Sequence, residues 1–340
     1  MGTTIEYIDT RTASESLLRE LAAYYDLVHA EDLPDDPPTP PEQTILGWRA
    51  VMDHEPVKRW ILRDGDIRAV AVAAYDLEQS PDNGFGRIHV HPDHRGKGYA
   101  RQIAGPMLDA LEEAGRKRFD TWVKLGDPAG RLCQALGLRA VYTERRSRLL
   151  MADLDHDLMR SWIGRAGERA SEYELRYYLS PIPGEIIDEM CRMAEVMNTA
   201  PREDYEEDDE VVTPEIWREY EGSVATRMGR LHNLVAVHLP TGRFVGYTQI
   251  NTQDLQPDLA WQWATGVDPE HRNKGLGRWL KAALIEQVIS DYPKVTRVDT
   301  DNADSNEPML NINVAMGFKP LLISQVWQGD LAEMRERFQA

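Results

Sequence analysis

At 340 residues, 42% of them hydrophobic and 28% charged, the chain is long enough for about two globular domains, each with its own core. Its net charge of −18 repels nucleic acid and anionic membrane and favours cationic small molecules or basic partners. Mean hydropathy is −0.52, no apolar run approaches the roughly 18 residues of a membrane span, and the first residues show no basic-then-apolar signal pattern. Cys133 and Cys191 make neither a disulfide framework nor a metal spacing, so a reducing, cytoplasmic setting and no bound metal are expected.

In chain order, the spacing predicts a helix over 13–28, then a Pro-rich loop over 33–41 whose prolines bar regular structure. A helix near 41–53 leads to a strand at 57–62, the Asp64-Gly65 turn, and a returning strand at 67–76. A strand at 86–90 runs into His91-Pro-Asp-His-Arg-Gly-Lys-Gly-Tyr-Ala-Arg101, which opens a helix over 99–114 stopped by Gly115. A strand at 120–124, a short helix at 128–136 closed by Gly137-Leu138, and a strand at 142–152 complete this half.

The second half repeats the order. A helix at 182–198 precedes the densest acidic patch, 203–210, where seven of eight residues are acidic. Such a patch reads either as a solvated loop or as a collar for a polycation. Thr213 caps a further helix with Pro214 at its first position. Strands at 233–238 and 243–252 flank the Pro240-Thr-Gly242 turn, and a strand at 259–267 enters Asp268-Pro-Glu-His-Arg-Asn-Lys-Gly-Leu-Gly-Arg278. A helix (276–290), a strand (295–301), a helix (308–315), the turn at Met316-Gly-Phe318 and a strand (321–327) follow. Pro92, His94, Arg95, Lys97, Gly98 and Arg101 thus recur as Pro269, His271, Arg272, Lys274, Gly275 and Arg278. Repeats of about 170 residues are too long for a solenoid, so an α/β chain of two globular copies is expected, over 1–152 and 171–340, joined by a segment at 153–170 that lacks strand character.

A glycine-spaced loop between strand and helix presents backbone N–H groups at a helix N-terminus, which suits a pyrophosphate. Gly98 and Gly275 allow close approach or positive φ, and Ala100 and Gly277 keep a second approach open. Arg95, Lys97, Arg101, Arg272, Lys274 and Arg278 place positive charge in an acidic protein, as an anionic ligand requires. Neither loop has the spacing of a nucleotide-hydrolase phosphate loop or of a dinucleotide fingerprint.

Arg272-Asn-Lys-Gly-Leu-Gly277 and Arg95-Gly-Lys-Gly-Tyr-Ala100 resemble the Arg/Gln-x-x-Gly-x-Gly/Ala signature of the Gcn5-related N-acetyltransferases (GNAT). The resemblance covers each half once and points to the tandem double-domain type, which includes mycothiol synthase and antibiotic acetyltransferases. It implies two domains, each a mostly antiparallel mixed sheet flanked by helices, and an acyltransferase using acetyl-CoA. It places the pyrophosphate on Arg272, Asn273, Lys274, Gly275, Leu276, Gly277 and Arg278, with Asn302 and Asn306 along the pantetheine arm. In the first half the corresponding residues are Val90, Arg95, Gly96, Lys97, Gly98, Tyr99 and Ala100. The family's Asn falls at Asn306. Its Tyr, which often protonates the leaving thiolate, falls at Asn313; in the first half the two positions hold Gly126 and Cys133. The resemblance therefore assigns catalysis to the second half and leaves the first half degenerate.

Acyl transfer to an amine needs a donor to the carbonyl oxygen, for which a backbone N–H near Val267 is the candidate. Asn313 could donate a hydrogen bond but cannot titrate. The family often supplies a Glu base on the strand before the loop, and neither 86–90 nor 261–267 holds a carboxylate. Glu221, Asp258 and Glu219 from neighbouring elements are weaker candidates, as is His89 in the first half; a water chain would also serve. His94 and His271 read as supports of the loop, Cys133 as a packed residue, and Trp217, Trp261 and Trp263 as core or as a wall facing an acceptor ammonium. The expected acceptor is a small, amine-bearing cation, either an aminoglycoside-like antibiotic (hence resistance) or a polyamine. A mycothiol-synthase-like acyl transfer to an amino sugar conjugate and a non-catalytic CoA sensor or scaffold are the alternatives. The protein is expected to act as a monomer or homodimer.

Overall fold

The structure, a computed structural model, describes residues 2–169 and 171–339. Residue 170, at the end of the expected connecting segment, and the two terminal residues of the chain lie outside them. The elements run β1 (Thr4–Ile8), α1 (Glu15–Asp32), α2 (Pro41–Arg49), β2 (Val57–Asp64), β3 (Asp66–Ala74), β4 (Asn83–Val90), α3 (Tyr99–Glu113), β5 (Arg118–Lys124), α4 (Ala129–Ala135), β6 (Arg139–Leu150), α5 (His156–Arg169) and β7 (Tyr173–Leu179). They continue with α6 (Ile187–Ala194), α7 (Pro214–Thr226), β8 (Gly229–His238), β9 (Arg243–Gln253), β10 (Leu259–Val267), α8 (Leu276–Asp291), β11 (Arg297–Ala303), α9 (Glu307–Met316), β12 (Lys319–Asp330) and α10 (Leu331–Gln339).

The chain folds into two compact units, and their membership differs from the two halves read from the repeat. The first holds residues 1–143, 202–208 and 323–340; the second holds 144–201 and 209–322. In the first, the strand order is β1-β2-β3-β4-β5-β12, with Ser324–Asp330 of β12 antiparallel to β5. In the second it is β6-β11-β10-β9-β8-β7, with Glu144–Leu150 of β6 antiparallel to β11. Each unit therefore closes its sheet with the strand that ends the other half of the sequence. Both sheets are mixed and mostly antiparallel, their parallel pairs being β4–β5 and β10–β11.

The period-2 alternation of each strand feeds two cores. In the first unit Ile61, Val70 and Val72 face α1, while Leu62, Ala69 and Ala71 face α3 and α10. In the second, Val235, Val237 and Tyr247 pack on α6 and α7, and Leu234, Ala236 and Ile250 pack with α8. The segment expected to connect two domains is instead a helix of the second unit. α5 lies against α8, with Met159 fully buried in that core. Turns follow the sequence signals: Gly65 (φ 77°) reverses β2 into β3, and Gly242 (φ 69°) reverses β8 into β9.

Part of the acidic patch has partners. Glu206 pairs with Arg118 and Arg139, its backbone carbonyl accepts from Asn83 and Gln328, and Tyr205 donates to Asp120. Residues 202–208 are thus a strap of the first unit rather than a free loop or an open collar.

Candidate active site

In the second unit β10 pairs with β11 only over Leu259–Trp261 and then leaves it, while a register shift against β9 falls between Gln262 and Thr265. The bulge bends β10 and opens a cleft between two strands that began as neighbours. Asp268 N–H bonds across the ladder to Val245 O. Antiparallel pairs alternate, so Val267 N–H points the other way, into the cleft.

The loop that follows is set by left-handed residues, Asn273 (φ 64°) and Gly275 (φ 85°). The first intrahelical bond of α8 is Trp279 N–H to Gly275 O at 3.1 Å. The N–H groups of Leu276, Gly277 and Arg278 are therefore left over at the positive end of the helix. A Cβ on Gly275 would meet nothing within 4 Å, and one on Gly277 would meet only Ile312 and Val267, at 3.6 and 3.9 Å. Arg272 donates to Val267 O (3.0 Å) and Thr199 Oγ1 (2.5 Å), both neutral groups, so its charge is not cancelled. Lys274 Nζ donates to Tyr173 Oη at 2.8 Å, and the same hydroxyl meets His271 Nδ1 at 2.8 Å. Burial, with Lys274 next, lowers the His271 pKa. It is a neutral prop under the loop.

Two adjoining cavities occupy the cleft. One, of about 610 Å³, is lined by Val267, Arg272, Asn273, Gly275 to Arg278, Asn306 and Ile312. The other, of about 500 Å³, is lined by Arg227, Trp261 to Thr265, Lys281, Thr300 to Asn302 and Asn306. Asn306, Thr265, Met197 and Met309 belong to both walls. Asn306 also caps α9, its Oδ1 accepting from Met309 N–H.

The structure thus brings Val267, Arg272, Asn273, Gly275 to Arg278, Asn302 and Asn306 together, while Lys274 turns to Tyr173 and lines neither cavity. It does not bring Glu221 or Asp258 to them. Glu221 is buried, with Oε1 accepting from Ile182 N–H and Oε2 from Arg218, and it lines neither cavity. Asp258 precedes β10 at the end away from the loop and holds Arg297. Both carboxylates serve packing, so neither is placed to take a proton from an acceptor. Asn313 is 1% exposed and donates to Asn302 Oδ1 at 2.6 Å. It orients a wall residue without reaching the wall itself. Trp263 meets Tyr220 at a tilt of 45°, and Trp261 lies under Arg146, which is bonded to Asp301. Sequence reasoning missed Lys281, which lines the second cavity, and the β6 residue Arg146, which holds the wall residue Asp301.

The first unit repeats the frame. β4 leaves β5 after Phe85, and His91 N–H bonds to Arg68 O, so Val90 N–H faces the opening. Gly96 and Gly98 have φ of 76° and 79°. Its cavity, about 780 Å³, is lined by Val90, Arg95, Gly96, Gly98, Tyr99 and Ala100 together with Glu31, Asp32 and Cys133. Two details differ. β4 runs along β3 without a register shift. Arg95 grips the carboxylate of Glu31, while Lys97 turns to Asp93 O and His94. His89 is held neutral, its pKa pushed down to about 3 by burial. Burial pushes the Cys133 thiol up to about 11, which rules out a thiolate nucleophile at neutral pH. Elsewhere in this unit His54, Glu55 and Asp76 bring three ligand-type atoms within 4.8 Å of one another, a group that no spacing in the sequence suggested.

The acetyltransferase (GNAT) family profile matches residues 190–318, and the FR47-like profile matches residues 63–147. The chain is a tandem-domain member of the GNAT superfamily. Among solved structures, a tandem GNAT protein from the clavulanic acid biosynthesis pathway is 20% identical, with a TM-score of 0.78 over 97% of this chain and 99% of that one. A GCN5-related N-acetyltransferase from Sphaerobacter thermophilus is 15% identical, with a TM-score of 0.69 over 97% of this chain and 96% of that one. The glucosamine N-acetyltransferase region of a fungal multi-domain GH3 β-N-acetylglucosaminidase is 16% identical, with a TM-score of 0.64 over 96% of this chain and 38% of that one. A search of curated protein sequences finds no match. As a GNAT enzyme the protein is an acyltransferase that uses an acyl-CoA. The second unit's loop fits such a group, with an uncancelled Arg272, three free helix N–H groups and open space over Gly275.

Proposed function

We propose that the second unit binds acetyl-CoA and transfers its acetyl group to the primary amine of a small, cationic acceptor. When bound, acetyl-CoA supplies the acyl group activated as a thioester. The amides of Leu276, Gly277 and Arg278 hold the pyrophosphate, and Arg272 adds charge without first giving up a carboxylate. Asn302 and Asn306 line the path of the pantetheine arm, and Val267 N–H donates to the carbonyl oxygen as charge gathers there. The acceptor amine enters from the side of Trp261 and Trp263, which line the second cavity. The net charge of −18 favours such a cation, and the two buried, unpaired cysteines suit the cytoplasm.

The observation that carries this reading is the second loop's uncancelled arginine beside an opened strand pair. Acetyl-CoA calorimetry on the wild type and on Gly275→Glu tests it. One site in the wild type, lost in the variant, is expected. A site that survives would move the cofactor out of the second unit. CoA thiol release with an aminoglycoside, spermidine or glucosamine as acceptor then tests catalysis; release with none of the amines would favour a CoA sensor.

A further inference from the structure

Lys281 lies on α8, beyond the loop, with 1% of its surface exposed. Among the described residues its Nζ makes no hydrogen bond or ion pair; the ring of Phe318, 5.6 Å away, is its one charge-sensitive neighbour. That is unusual for a buried cation. Arg148 is bonded to Asp299 and Arg146 to Asp301, each through two contacts. Holding an unpaired ammonium in a core costs several kcal/mol, so its place calls for a reason other than packing.

The side chain lines the 500 Å³ cavity with Trp261, Thr300, Asn302 and Asn306. The other charged groups on that wall are Arg227 and Asp301, and Asp301 is held by Arg146. Asn313, at the position where a tyrosine hydroxyl would be expected, has no proton to release and is tied to Asn302. Lys281 is therefore the one group on that wall able both to give and to regain a proton near neutrality. Burial, the sole cause, brings its pKa down to about 7, where a general acid works best at physiological pH.

We propose that Lys281 is the proton donor to the departing thiolate in the second unit's acyl transfer. This rests on the acetyltransferase reading above. As the acceptor nitrogen bonds to the acyl carbon, the carbon–sulfur bond breaks and sulfur leaves with the electron pair. Lys281 Nζ gives that sulfur a proton. Of the two protons the acceptor ammonium loses in becoming an amide, one restores Lys281 and the other goes to solvent.

The test titrates the thiol of bound CoA by the ultraviolet absorbance of its thiolate, with the desulfo-CoA complex as reference. In the wild type the thiol pKa should lie at least about one unit below that in Lys281→Met. Turnover with acetyl-CoA should fall about 100-fold in the variant with KM unchanged. Lys281→Met removes an unpaired buried charge at similar volume, so its melting temperature should match or exceed the wild type. Lys281→Arg, permanently charged, should keep the lowered thiol pKa yet turn over as poorly as Lys281→Met. Equal thiol titrations in wild type and Lys281→Met, or turnover within about 3-fold, would overturn the proposal and leave the acetyltransferase reading standing. A wild type that binds no CoA would overturn that reading, and this proposal with it.

Discussion

In the first unit Arg95 is clamped by Glu31, and Lys124 bonds to the backbone oxygens of Glu31 and Asp32. In the second unit the matching Arg272, among the described residues, bonds only to a carbonyl and a hydroxyl. The backbones of the two loops agree: Gly98 and Gly275 have φ of 79° and 85°, and each helix leaves its first N–H groups free. Each unit also has a cavity at its loop, about 780 Å³ in the first and about 610 and 500 Å³, adjoining, in the second. The presence of a cavity and the backbone of the loop therefore do not separate the two sites. Charge does, because an anion entering the first loop must displace or oppose Glu31, whereas one entering the second finds an arginine already available. The bulge adds to the difference. The register shift at Gln262 bends β10, and β4 has no counterpart.

The largest effect expected from this contrast lies at the two glycines. A carboxylate at residue 275 would sit in the cradle at positive φ, and Gly275→Glu should weaken acetyl-CoA binding by about 100-fold or more. Gly98→Glu imposes the same backbone strain in the first unit and should leave the calorimetric isotherm unchanged. Equal losses in the two variants would show that both loops carry cofactor.

Next come the arginines. A charge-assisted contact to phosphate contributes about 1.5–3 kcal/mol. Arg272→Met should therefore raise the acetyl-CoA Kd at least about 10-fold, and Arg95→Met less than about 2-fold. The more telling variant is Glu31→Gln. If the carboxylate is what silences the first loop, its removal should let a second, weaker acetyl-CoA site appear, one that fades as salt is raised. A single site in that variant would assign the silence to the missing bulge instead.

Much of the site was legible because its chemistry is local. The repeated Pro, His, Arg, Lys and Gly positions fall within ten residues in each copy, 92–101 and 269–278, and Gly98 and Gly275 adopt the positive φ that glycine allows. What failed to show was non-local. The exchange of β6 and β12 left no mark, since Gly137-Leu138 and Gly317-Phe318 introduce their strands with the same turn, both glycines at positive φ. Either strand suits either sheet by pattern alone. Glu31 lies at the end of a helix 64 residues from Arg95, a pairing no periodicity encodes. Lys281 sits between Leu280 and Ala282, and a lysine in a helix reads as solvent-facing. Glu221 and Asp258 were attractive as carboxylates near the strands in sequence, but arginines and a backbone amide already hold them.

The smallest effect concerns the residue just before each cleft. Asp120 faces Phe85 across the last parallel pair of the first unit, as Asp299 faces Trp261 in the second. Asp299 is bonded by Arg148 through both oxygens. Among the described residues Asp120 has no such bidentate cation: the side chains of Gln328 and Tyr205 bond to it, and burial outweighs them and pushes its pKa up to about 6. A carboxyl whose pKa is higher folded than unfolded binds its proton more tightly in the native state. The cost of ionising it is therefore absent below the unfolded value near 3.8, grows as pH rises, and is complete above about 6. Asp120→Asn should accordingly melt a few degrees above the wild type at pH 7.5, and the gap should close by about pH 4. A gap that stays constant with pH would mean that the Tyr205 bond, rather than the buried charge, sets the stability of the strap.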